Sequence, residues 1–94
     1  MTQRVEETTE RRTIRVRLHA VLRDLAGTDA IDVSIDASSA TPDAAFMAAG
    51  QVAPELLPWR SAVAYGVESR ITGPDAAIPA SVGQIDVLPP VSGG

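Results

Sequence analysis

The chain has no cysteine, no lysine, a single histidine and only three aromatic residues, Phe46, Trp59 and Tyr65, in 94 positions. Without cysteine there is no disulfide, no thiolate metal site and no cysteine nucleophile. Without lysine no side-chain amine exists to form a Schiff base or to accept an isopeptide link, and all eight basic residues are arginine. So few aromatic rings imply a core built mostly from aliphatic side chains. No apolar run approaches the ~20 residues a membrane span needs. Met1–Arg12 is polar and mixed in charge, with no apolar segment for a signal peptide, so the cytoplasm is the expected compartment. A net charge of −4 argues against binding to a phosphate backbone.

The length suits one domain. Hydrophobic residues make up 45% of the chain and charged ones 21%, ordinary values for a globular protein with one modest core. Residues 1–12 lack periodicity and read as a disordered leader; residues 13–88 form the domain, and 89–94 a flexible tail. Thr13–His19 alternates, with Ile14, Val16 and Leu18 on one face and Arg15, Arg17 and His19 on the other. Ile31, Val33 and Ile35 alternate in the same way with Asp32, Ser34 and Asp36. An antiparallel hairpin would set arginines across from aspartates, favouring its register rather than driving folding. The connection Ala20–Asp29 reads as a turn punctuated by Gly27.

Ser39 or Thr41 can cap a helix in which Pro42 suits the first turn and Asp43 complements the dipole. Ala44–Ala53 is its alanine-rich body, anchored by Phe46 and Met47, weakened at Gly50 and closed by Pro54 and Pro58. Ser61–Val67 and Gln84–Leu88 read as further strands, with a short edge piece between them. Thr72-Gly73-Pro74-Asp75 marks a turn, and Ile78-Pro79 anchors a loop to the core. The expected architecture is an α+β roll, a mixed sheet with one main helix packed across it.

The sequence ends Leu88-Pro89-Pro90-Val91-Ser92-Gly93-Gly94. Each proline fixes φ and lacks an N–H, so the last strand cannot continue past Pro89 as an ordinary ladder. The six residues from Pro89 to Gly94 reach up to about 20 Å when extended. Such an ending arises by chance with odds of roughly one in 10⁵ at average residue usage. Lacking Cβ atoms, Gly93 and Gly94 can enter a narrow tunnel and present a carboxylate to a reagent. That carboxylate is inert until adenylation gives it a leaving group; a sulfur nucleophile could then make a thiocarboxylate, the protein serving as a group carrier.

Arg23-Asp24-Leu25-Ala26-Gly27 after the first strand, taken with Pro89-Pro90-Val91-Ser92-Gly93-Gly94, resembles the small sulfur-carrying subunit of molybdopterin synthase. That family sits in the wider β-grasp sulfur-carrier group, which includes the thiamine-pathway carrier and ubiquitin-like proteins. The resemblance spans Thr13–Gly94 and implies a ubiquitin-like β-grasp roll. It also implies that an E1-like enzyme, using ATP and magnesium, adenylates Gly94, and that a sulfur donor enzyme converts it to the thiocarboxylate. The tail, Pro89 to Gly93, would enter the large catalytic subunit and deliver sulfur to cyclic pyranopterin monophosphate. The carrier itself would bind no cofactor and perform no catalysis. The family's Gly-Asp-Glu-Val run before the last strand is replaced here by Val82-Gly83-Gln84-Ile85-Asp86-Val87.

The remaining candidates are plainer. His19, on the polar face of its strand, reads as a surface residue; Asp24, Asp29, Asp32 and Asp36 read as solvated. No metal site is expected from one histidine and scattered carboxylates, and no glycine-rich loop leads from a strand into a helix to cradle phosphate. Val21, Leu22, Leu25, Val87 and Leu88 lie near the first turn or the root of the tail. Each either packs in the core or docks a partner, and Leu22, Leu25 and Leu88 are the docking candidates. Three alternatives stay open: a sulfur carrier for another pathway (thiamine, cysteine or a thio-metabolite), a ubiquitin-like modifier joined to target lysines, or an interaction module with an inert end.

Overall fold

A computed structural model describes residues 10–90 of the chain. Residues 1–9, most of the expected leader, and 91–94, most of the expected tail, lie outside the described residues. Five strands and two α-helices follow in the order β1 (Arg11–Leu18), α1 (Val21–Ala26), β2 (Ala30–Asp36), α2 (Pro42–Val52), β3 (Ala64–Val67), β4 (Arg70–Thr72) and β5 (Gln84–Leu88). Short 3₁₀ turns cover Ala37–Ser39 and Pro54–Trp59. The sheet order is β2-β1-β5-β3-β4. Strands β1 and β5 run parallel, and the other neighbours are antiparallel.

Alternation in β1 and β2 decides the faces. Ile14, Val16 and Leu18 turn inward with Ile31, Val33 and Ile35, and all are buried. In register across the hairpin stand Arg15 and Asp32, whose side chains meet at 2.9 and 3.3 Å on the open face. From β5, Ile85 and Val87 complete the inner surface. Helix α2 closes this core. Thr41 Oγ1 accepts the Ala44 N–H at 3.1 Å as its cap, and Pro42 opens the first turn. Its buried side is mostly small, Ala45, Ala49 and Gly50 around Phe46. Small residues let the helix lie close to its neighbours: a Cβ on Gly50 would overlap the Leu57 side chain. The Phe46 ring meets Tyr65 edge to face, centroids 6.3 Å apart.

Several boundaries differ from the sequence expectation. The first strand begins at Arg11, so the leader stops short of residue 12. Arg12 pairs with Ile35 in the ladder, and its guanidinium donates to the carbonyls of Ile78, Pro79 and Val82 at 2.9, 2.9 and 2.7 Å. No local pattern announces such a contact, which crosses more than sixty residues of chain. The expected turn Ala20–Asp29 contains a helix, α1, closed by Gly27 at φ 73°. Residues 61–63 form a turn rather than the start of β3. Ile78 anchors its loop as expected, buried and donating its N–H to the Ala40 carbonyl at 2.9 Å.

Candidate functional site

Strand β5 lies in the middle of the sheet, hydrogen-bonded to β1 on one side and β3 on the other. The chain therefore leaves β5 from a strand paired on both sides rather than from a sheet edge. Val87 lies beside Leu18 in β1 and Tyr65 in β3, and Leu88 beside Ala64. Pairing stops there, where Pro89 removes a donor. Pro89 is half-buried and Pro90 exposed. Val91, Ser92, Gly93 and Gly94, the remaining tail candidates, lie outside the described residues.

Side chains from two strands meet beside this root. Parallel pairing puts Arg17 next to Asp86. The Asp86 carboxylate Oδ1 lies 2.8 Å from His19 Nε2 and 3.9 Å from Arg17 Nε. Histidine as a lone surface residue is thus too simple a description: it is tied to β5. Alternation predicts that both His19 and Asp86 face outward, but only knowledge that β1 and β5 are parallel neighbours brings them together.

The docking candidates separate. Leu22 is fully buried, because the inner side of α1 drops it into the core; it offers no surface, and its assignment to docking is corrected. Leu25 is 36% exposed and Val21, one turn earlier on the same helix, 37%. Leu88 is half-buried on the open face. Register adds Ile71, opposite Gly66 and 71% exposed, which sequence reasoning passed over because β4 is too short to show alternation. The open face therefore carries Leu88, Ile71, Arg17, His19 and Asp86 around the point where the tail begins.

Charge elsewhere on the sheet is structural. Asp32 is held below the usual carboxylate range by its hydrogen bond from Arg15, which is itself pushed up. Asp36 is lowered by hydrogen bonds from Ser38, side chain and backbone. Among the described residues no group of three or more histidine, aspartate and glutamate side chains could hold a metal ion. No described helix is long and apolar enough to cross a membrane.

Solved structures with this arrangement exist. Small archaeal modifier protein 1 from Haloferax volcanii superposes with a TM-score of 0.73 at 23% identity, over 87% of this chain and 99% of that one. Its Methanosarcina acetivorans counterpart gives 0.70 at 18% identity, over 90% and 99%. A Pyrococcus furiosus protein provisionally assigned as molybdopterin converting factor, subunit 1, gives 0.65 at 18% identity, over 85% and 99%. The fold is a ubiquitin-like β-grasp. No protein-family model and no curated protein sequence matches the chain.

Proposed function

We propose that the chain is a sulfur carrier, the small subunit of a molybdopterin synthase, whose Gly94 is adenylated and converted to a thiocarboxylate. The observation that carries this reading is the exit of a Pro-Pro-Val-Ser-Gly-Gly tail from the central strand of a β-grasp sheet. One Gly94 carboxylate oxygen attacks the α-phosphate of ATP on an E1-like enzyme and pyrophosphate leaves. A sulfur nucleophile from a donor enzyme then displaces AMP. The carrier supplies position alone: a rigid root, a stiff Pro89-Pro90 stem and a side-chain-free end. Docking falls to Leu25 and Leu88 beside the tail, and sulfur passes to cyclic pyranopterin monophosphate in the large subunit.

A second reading has its own support. Two of the similar structures are small archaeal modifier proteins, so the same activated Gly94 can instead be joined to amines of target proteins. Intact mass separates the two. Coexpression with an E1-like enzyme and a sulfur donor should replace one oxygen by sulfur at Gly94, located by fragmentation. A carrier shows that exchange and loses it when Gly94 is deleted; a modifier shows covalent adducts on target lysines. An unmodified Gly94 under activating conditions defeats both.

A further inference from the structure

The two rims of the sheet are built differently. Strand β4 ends the sheet on one side with three residues, too few to hold another strand. Strand β2 ends it on the other with seven, Ala30–Asp36, free of proline and glycine and paired to β1 without a bulge. Rims of that length are commonly shortened, bulged or covered, because their unpaired N–H and C=O groups template a further strand.

The bonds to β1 fix which backbone groups of β2 face out. Leu18 donates its N–H to the Asp29 carbonyl at 2.9 Å, and Ala37 donates to the Glu10 carbonyl at 2.8 Å. Bonded pairs alternate in an antiparallel ladder, so Ile31, Val33 and Ile35 bond β1 while Ala30, Asp32, Ser34 and Asp36 turn their backbone groups outward. Thr28 Oγ1 meets both backbone groups of Ala30, at 3.2 and 3.5 Å. Arg11 Nη2 donates to the Ser34 carbonyl at 2.7 Å. The Asp32 N–H and C=O and the Ser34 N–H have no partner among the described residues.

Side chains name the occupant. Asp32, Ser34 and Asp36 form one row on the open face of β2, and the strand carries no basic residue. Its neighbour β1 meets that row with Arg15, Thr13 and Arg11 in register. Side chains alternate by face whichever neighbour is bonded, so a strand on the outer side meets the same row of acid, hydroxyl and acid. Asp32 has room for a second cation: its side chain is 52% exposed beside Arg15, and a carboxylate offers about four acceptor sites.

We propose that the outer rim of β2 docks an extended basic segment of a partner protein, added antiparallel as a further strand. Basic side chains stand opposite Asp32 and Asp36, and a small polar one stands opposite Ser34. Main-chain bonds to Asp32 and Ser34 give affinity, and the carboxylates give selection. Strand β2 lies two places from β5 in the sheet, so this docking site is separate from the carrier reading and its test does not involve Gly94.

The test titrates the full chain, labelled with nitrogen-15, with acetyl-Ser-Arg-Val-Thr-Val-Arg-Ser-amide to about 1 mM. Amide shifts should centre on β2, and the Asp32 and Ser34 N–H groups should exchange more slowly with deuterium, while β4 stays unmoved. The same peptide with glutamate in place of arginine should bind at least fivefold more weakly. The Asp32→Asn, Asp36→Asn double variant, which keeps the shape of both side chains, should weaken the basic peptide by a similar factor. Ser34→Pro deletes an outward N–H that the β1 ladder does not use, and should abolish the shifts in a chain whose own spectrum stays dispersed. If that variant does not fold, the double asparagine variant decides. The proposal is overturned if the basic peptide leaves the β2 amides unmoved, or if the shifts fall on β4 instead. Equal binding of the glutamate peptide, or undiminished binding to the double variant, overturns it as well, because the carboxylates would then select nothing.

Discussion

Two side chains show how single residues settle the fold. The Arg12 guanidinium binds three backbone carbonyls of the loop that leads into β5, and charge-assisted bonds of this kind are the stronger ones. Arg12→Ala takes this donor from the partly buried Ile78 and Val82 carbonyls, while Pro79 keeps the Val82 N–H, and should cost about 2–3 kcal/mol in a denaturant titration. Arg12→Lys, which cannot fork across three acceptors, should recover only part of that loss. Tyr65 makes the opposite case. It is 2% exposed, and its hydroxyl has no hydrogen-bond partner among the described residues. Tyr65→Phe keeps the edge-to-face contact with Phe46 and removes the orphan, so stability should rise by about 1 kcal/mol. Burial also pushes the Tyr65 hydroxyl up to about 12. A folded value above the unfolded one, near 10, means the contribution is intact below pH 10 and lost as pH rises towards 12. Wild type should therefore melt progressively earlier above pH 10, and Tyr65→Phe should lack that component.

Among the elements, those with a full period were legible and the short ones were not. Strands β1, β2 and β5 announce themselves by alternation, and α2 by Thr41, Pro42 and Asp43 at its start. Helix α1, with six residues, carries less than two turns of pattern, and only its packing reveals Leu22 as core. The β3–β4 turn was illegible for a different reason. Glu68 and Ser69 both adopt positive φ, 52° and 67°, the geometry of a tight two-residue hairpin turn normally given to Asn-Gly. Ser69→Gly removes a Cβ penalty there and should stabilise by about 0.5–1 kcal/mol, read as a higher melting temperature. The β1–β2 ladder yields a pH prediction. Asp32 and Asp36 have folded values below the unfolded carboxylate range, so their contribution is present above about pH 4 and lost as pH falls through the lower folded values. Acid melting should weaken in Asp32→Asn and in high salt, since the Arg15–Asp32 pair is solvent-exposed.

For the whole molecule the decisive fact is where the termini of the sheet lie. That first and last strands share one sheet follows from the need to bury both inner faces, but their parallel contact in its centre is a property of the topology. Stability and the proposed carrier chemistry are therefore divided at Leu88. Upstream, Ile85 and Val87 are wholly buried and β5 joins β1 to β3, so ending the chain before Ile85 should abolish cooperative unfolding. Downstream, Gly93 and Gly94 carry no side chain to bury, so their removal should leave the melting temperature within the change equivalent to ~0.5 kcal/mol. If the proposed function holds, the same deletion eliminates thiocarboxylate formation completely. A tail that matters to folding would move both readouts together, whereas the central-strand exit predicts that calorimetry stays flat while the mass shift at the C-terminus disappears.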